Sequence, residues 1–106
     1  MRANPPEVTM FHHVAMFRFA EGTTAEQIDA VDAALAELPA VIDVLVGYRF
    51  GRDAGITDNA WDYVVVADLA GPEDFPVYRD HPQHRAVVED VMKPLVVEAS
   101  RIQFES

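Results

Sequence analysis

Met10-Phe-His-His-Val-Ala-Met-Phe-Arg-Phe19 is the stretch that decides the fold. Aromatic and β-branched residues dominate it, so it reads as a strand. Side chains alternate along a strand. Phe11, His13, Ala15, Phe17 and Phe19 therefore share one face, and His12, Val14, Met16 and Arg18 the other. Both faces are partly apolar, whereas a strand with one face in water would alternate cleanly. This strand asks to be covered twice.

Two further runs have the same character. Val41 to Phe50 reads as a second strand and Trp61 to Leu69 as a third. Val41, Leu45 and Tyr48 cannot all hide under one layer of helices, and neither can Val64, Val65 and Val66. Between the first two strands Gly22 breaks the chain. Thr23-x-x-Glu26 reads as a capping box with Thr23 as the cap. Ile28, Val31, Leu35 and Leu38 follow helical spacing until Pro39 ends that helix. A polar loop runs from Gly51 to Asn59.

After the third strand, Gly71-Pro72 opens a short helix bearing Phe75 and Tyr78, kept short or bent by Pro76. Pro82 starts a longer helix, with Asp80 or His81 as its cap. Val87, Val88, Val91 and Leu95 form its apolar stripe, and Pro94 kinks it or ends it near Met92. A last strand lies within Val96 to Phe104. The order strand, helix, strand, strand, helices, strand predicts an α+β fold. Its expected form is a ferredoxin-like β-α-β-β-α-β chain, an antiparallel four-stranded sheet with helices on one face. The open apolar face then needs a partner, most simply an identical sheet across a two-fold axis. The expected assembly is a homodimer, two protomers forming a dimeric α/β barrel.

The chain has 106 residues, enough for one domain. Eighteen acidic residues against eight basic ones give a formal charge of −10, which repels phosphate backbones and anionic lipid. Neither nucleic acid nor membrane is an expected partner. There is no cysteine, hence no disulfide framework or thiolate chemistry, and no apolar run approaches the ~20 residues of a membrane span. Residues 1–9 lack the apolar core of a signal peptide and read as a flexible lead-in to a domain over 10–106. The expected location is cytoplasmic.

Chemistry concentrates in Phe75-Pro-Val-Tyr-Arg-Asp-His-Pro-Gln-His84. His84 lies three residues before Val87 and four before Val88, so a titratable imidazole sits on the apolar stripe and should look inward at a pocket edge. Tyr78 lies six residues earlier. His13 shares the helix-covered face of the first strand and could reach the same cavity. A base beside a hydrogen-bond donor suits proton abstraction next to a carbonyl. The structural reading of the same residues is a core-edge histidine and a packing tyrosine. Phe11, Phe17 and Val88 are expected to join His13 in contacting a ligand, although Phe11, Phe17, Trp61 and Tyr63 equally suit ordinary core. His81 and Asp80 read as capping groups. His12 and His13 point to opposite faces and cannot share an ion, and His81 with His84 has no evident distant ligand, so no metal site is expected. Glycines 47, 51 and 55 form no phosphate-binding motif.

Four pieces carry a family likeness: His13-Val-Ala-Met-Phe-Arg-Phe19, Gly22-Thr-Thr-Ala-Glu26 with Leu38-Pro39, Trp61 to Leu69, and Tyr78-Arg-Asp-His-Pro-Gln-His84 with Met92-Lys-Pro-Leu95. In these the chain resembles the stress-responsive dimeric α/β-barrel (Dabb) family. The resemblance implies the ferredoxin-like fold and the homodimer. In the His-Pro-x-His region it is similar to polyketide cyclases of the olivetolic acid cyclase type, which close a poly-β-ketoacyl chain by aldol condensation without metal or organic cofactor. That likeness implies His84 and Tyr78 as catalytic residues, His13 as a pocket residue, and no cofactor. A tyrosine those cyclases carry on their first helix has no counterpart between Thr24 and Pro39, and Pro76 stands where a helix former is expected. Two functions follow as expectations. The first is binding of a small, largely apolar carbonyl compound, with cyclase- or lyase-type turnover by a histidine base. The second is a non-catalytic stress-responsive or interaction protein whose barrel is structural.

Overall fold

The computed structural model describes residues 9–106, so the lead-in expected over residues 1–9 lies, apart from Thr9, outside the described residues. The first strand, β1 (Phe11–Phe19), is followed by helix α1 (Ala25–Ala36), a one-turn helix α2 (Leu38–Val41) and strand β2 (Gly47–Arg52). Strand β3 (Tyr63–Leu69) leads through a 3-10 turn (Pro72–Asp74) into α3 (Phe75–Arg79) and α4 (Pro82–Val87). A π turn (Val88–Met92) and strand β4 (Val96–Glu105) complete the chain. The sheet order is β2-β3-β1-β4 with every pair antiparallel, the ferredoxin-like arrangement.

The register sorts the two faces of the sheet. His13 stands opposite Ala67 and Gln103, and Ala15 opposite Val65 and Arg101. This is the helix-covered face, where Ala15, Val65, Ala67 and Leu69 are buried. One residue along, Val14 stands between Val66 and Ile102, and Met16 between Val64 and Ser100. Those side chains are half-buried or exposed, with Ile102 57% and Phe104 48% accessible. A small polar cluster interrupts this apolar face. His12 bonds Asp68 at 2.7 Å and Ser106 at 2.7 Å, and Arg49 reaches the same Asp68 at 3.3 Å.

Beneath the helices, Val31 and Leu35 of α1 meet Leu38, Ile42, Tyr63, Tyr78 and Met92 in one core. Tyr63 is buried, yet its hydroxyl donates to Asp32 of α1 at 2.5 Å, and Asp32 also accepts from Arg52 at 3.0 Å. The Tyr63 hydrogen bond, with Arg52 beside it, holds the Asp32 carboxyl below the usual carboxylate range. This bond ties α1 to β3. Tyr63→Phe is expected to cost about 1 kcal/mol, read as a lower urea midpoint.

Three local expectations are corrected. The N-cap of α1 is Thr24, not Thr23. Thr24 accepts from the Gln27 N–H at 3.1 Å, and Gln27 accepts from the Thr24 N–H at 2.8 Å. Gln27 thus replaces Glu26 in the capping box. The strand expected from Val41 begins only at Gly47. Pro39 sits in the first turn of α2, where its missing N–H costs nothing, so it starts a helical turn as well as following one. Leu38 and Ile42, four residues apart, are both buried. A helical step thus does the burying that alternation had assigned to a strand. Val41, no longer a strand residue, is exposed, and Gly51 and Arg52 belong to β2 rather than to the loop.

Prolines divide the third helical region as expected. Pro72 and Pro76 each occupy a first turn, of the 3-10 segment and of α3. His81 caps α4, its Nδ1 accepting from the Gln83 N–H at 3.2 Å. Pro94 cannot donate, and its ring would collide with the carbonyl four residues back in α geometry. The chain widens instead, with the Lys93 N–H reaching the Val88 carbonyl at 2.9 Å, and the helix ends.

Candidate active site

A cavity of about 440 Å³ opens between the sheet and the later helices. Ala15, Phe17, Leu35, Val65, Val88 and Met92 are among its apolar walls, and its polar groups are His13, Tyr48, Tyr78, His84 and Gln103 with Arg79, Arg85 and Arg101. His13, Tyr78 and His84, singled out from sequence, therefore meet at one site, together with Phe17 and Val88. Phe11 does not line it. Its ring packs on Phe75, with centroids 6.3 Å apart, one layer behind the wall.

The elbow between α3 and α4 explains the His-Pro-x-His spacing. Pro82 occupies the first turn of α4 and His81 caps it. His84, one turn in, reaches back with Nδ1 to the Arg79 carbonyl at 2.9 Å. That carbonyl ends α3, where the last carbonyls lack helical partners. A carbonyl only accepts, so Nδ1 carries the hydrogen and the lone pair of the neutral ring sits on Nε2. Nε2 has no partner among the described residues. Burial lowers the His84 pKa from its ordinary value. The Arg79 carbonyl opposes the shift and the Arg85 charge reinforces it. The ring is thus neutral and oriented near pH 7.

Tyr78 packs its ring on His84, centroids 4.3 Å apart, and is buried. Its hydroxyl lies 2.9 Å from that of Tyr48. In such a pair one hydroxyl donates to the other, and the accepting one keeps its own O–H to offer a ligand. Burial raises both phenols above their ordinary pKa, so both stay protonated. Tyr48 was not singled out from sequence, because its partner lies thirty residues away. Gln103 and Arg101 were missed as well. A polar residue at alternate positions of the last strand, Arg101 and Gln103, on the face that β1 buries, was the available signal.

His13 is 6% exposed, and Nδ1 accepts from the Gln103 side-chain amide at 2.8 Å. Nε2 then carries the hydrogen of the neutral ring and is a donor. Burial first, then the charges of Arg101 and His84, lower the His13 pKa to about 4. The unfolded chain takes this proton near pH 6.5, the folded chain near 4. Between these values the unfolded state binds more protons, so stability is whole above pH 6.5 and falls as pH drops toward 4. The loss from this one group approaches about 3 kcal/mol. His13→Gln should flatten that part of the slope in urea titrations compared at pH 7 and pH 4.5, while the carboxylate contribution persists in both proteins.

The profile of the stress responsive A/B barrel domain, Dabb, matches residues 11–106. The chain belongs to the Dabb family. Among solved structures, a dimeric ferredoxin-like protein of unknown function from Thermobifida fusca is 38% identical, with a TM-score of 0.83 over 92% of both chains. A Dabb protein from Mesorhizobium loti is 18% identical, with a TM-score of 0.76 over 91% of this chain and 95% of that one. The hydroxynitrile lyase of Passiflora edulis is 16% identical, with a TM-score of 0.79 over 96% of this chain and 95% of that one. At their low identities the last two show the fold alone. Comparison with curated proteins gives no match. Among the described residues of this Dabb chain, no group of three histidine or carboxylate side chains is placed to hold a metal ion. No helix among them is long and apolar enough to cross a membrane.

Proposed function

We propose that this Dabb chain is a homodimeric, cofactor-independent enzyme that removes a proton beside the carbonyl of a small, largely apolar compound. The reaction class is aldol-type cyclisation or the related lyase-type cleavage. One observation carries the reading: His84 is held by the Arg79 carbonyl with Nε2 unpartnered among the described residues, on the wall of an apolar cavity beside a pair of protonated tyrosines. Nε2 takes the α-proton, and the C–H electron pair moves into the enolate. The free O–H of the Tyr78–Tyr48 pair donates to the enolate oxygen, and neutral His13 adds a second donor. The nucleophilic carbon then adds to a second carbonyl, and the protonated His84 returns its proton to the new alkoxide. The apolar walls keep water from competing. The same fold serves a hydroxynitrile lyase in Passiflora edulis, so the scaffold is compatible with chemistry at a carbonyl.

The homodimer rests on the open sheet face, where Val14, Met16, Val64, Val66, Ile102 and Phe104 lie together. The Thermobifida fusca relative is described as dimeric.

A test needs no natural substrate. The methyl protons of acetophenone should exchange with deuterium faster in the presence of the protein, followed by proton NMR. Neutral His84 is the base, and its pKa is lowered by burial. The rate should therefore rise with pH and reach its plateau below the range of a free imidazole, about 6.5. A structural barrel would accelerate exchange with no simple ketone, and that result would remove the catalytic reading.

A further inference from the structure

The cavity wall has an electrostatic character opposite to that of the chain. Acidic residues outnumber basic ones 18 to 8, yet among the described residues no aspartate or glutamate lines the cavity, while Arg79, Arg85 and Arg101 do. Two of these arginines are engaged. Arg79 makes two hydrogen bonds to Asp80, both at 2.9 Å, and Arg85 stands 3.7 Å from Glu89. Arg101 has no acidic partner among the described residues. It is exposed and also lines the cavity, which places it where the cavity meets solvent. On β4 it stands opposite Ala15, two residues from Gln103, which bonds His13. Two strand residues span about 7 Å. Arg101 therefore stands about 7 Å along the strand from the residue that holds His13, on the same face of the sheet.

We infer that the ligand is a carbonyl compound carrying a carboxylate, with the acid group forked onto Arg101 and the carbonyl end lying toward His13 and His84. This deepens the proposed function and rests on the same cavity being the ligand site. A guanidinium matches a carboxylate with two parallel N–H donors. A carboxylate entering an apolar cavity is costly without such a partner. Placing the acid at the solvent end keeps part of its hydration, while the body of the molecule meets Phe17, Val88 and Met92. A phosphate group is the poorer fit. One free guanidinium without a cradle of backbone N–H groups matches a planar anion better than a tetrahedral one.

The experiment is calorimetric titration with 4-acetylbenzoate and with its methyl ester. The acid should bind about 10- to 100-fold tighter than the ester. Arg101→Gln should erase that preference and leave the ester unaffected. Arg52→Gln removes an equal charge from a guanidinium that Asp29 and Asp32 engage, and it should keep the preference. Equal binding of acid and ester, or a preference that survives Arg101→Gln, would overturn the inference. So would the failure of both compounds to bind. Acid and ester binding alike, with acetophenone exchange intact, removes the carboxylate site and leaves the base. Arg101-dependent acid binding without exchange leaves the site and removes the base.

Discussion

His84→Ala is expected to slow deuterium exchange into acetophenone by about 10²- to 10⁴-fold, the usual contribution of a positioned general base. The size follows from orientation. The Arg79 carbonyl fixes which nitrogen carries the hydrogen, and Tyr78 packs against the ring at 4.3 Å. The alanine variant also leaves the Arg79 carbonyl without its side-chain donor, at a cost of about 1 kcal/mol. That is too little to unfold an ordinary domain. Thermal melts of both proteins separate a folding defect from a chemical one. Free imidazole in the buffer should recover part of the lost rate, because the vacated space admits a ring of the same shape. Recovery would mark the loss as that of a base rather than of a scaffold. Exchange unchanged by His84→Ala would end the proposed mechanism. Tyr78→Phe should slow exchange less, since Tyr48 stays in place as a second hydroxyl.

Val14→Asp and Met16→Asp should each convert the protein to a monomer in light scattering at micromolar concentration. Both residues point to the sheet face away from His13, among Val64, Val66 and Ile102. In a two-fold dimer each substitution places two carboxylates in the interface. An uncompensated buried charge costs about 3–5 kcal/mol. Two of them weaken association by at least about 10³-fold. The helix-covered core is untouched, so a folded monomer is the expected product and circular dichroism should retain the mixed α and β signal. A variant that keeps the mass of two chains would show that this face does not form the interface. Wild-type protein that is already a monomer at that concentration would remove the barrel altogether.

The His-Pro-x-His element was legible because its bonds are local. His81 caps a helix two residues on, and His84 reaches five residues back, so spacing alone sets their geometry. The strands were legible through alternation, and His13 through its parity with Ala15 and Phe19. Ambiguity arose where one composition suits two structures. Val41 to Val46 is apolar enough for a strand, but Pro39 favours a helical turn, and Leu38 and Ile42 bury at a helical step. Thr23 and Thr24 compete as caps one residue apart, and the position of Gln27 decides between them.

From sequence alone came the order of the elements, the two-faced strands, the side of the sheet that carries His13, and the elbow that holds His84, because each is set by contacts within a few residues or by a repeat of two. The tertiary structure decided which distant groups share the cavity. Tyr48 meets Tyr78 across thirty residues, and Gln103 meets His13 across ninety. It moved Phe11 behind the wall and brought Arg101 to its edge. Those juxtapositions depend on strand register, and a shift of one residue would have turned each side chain to the opposite face.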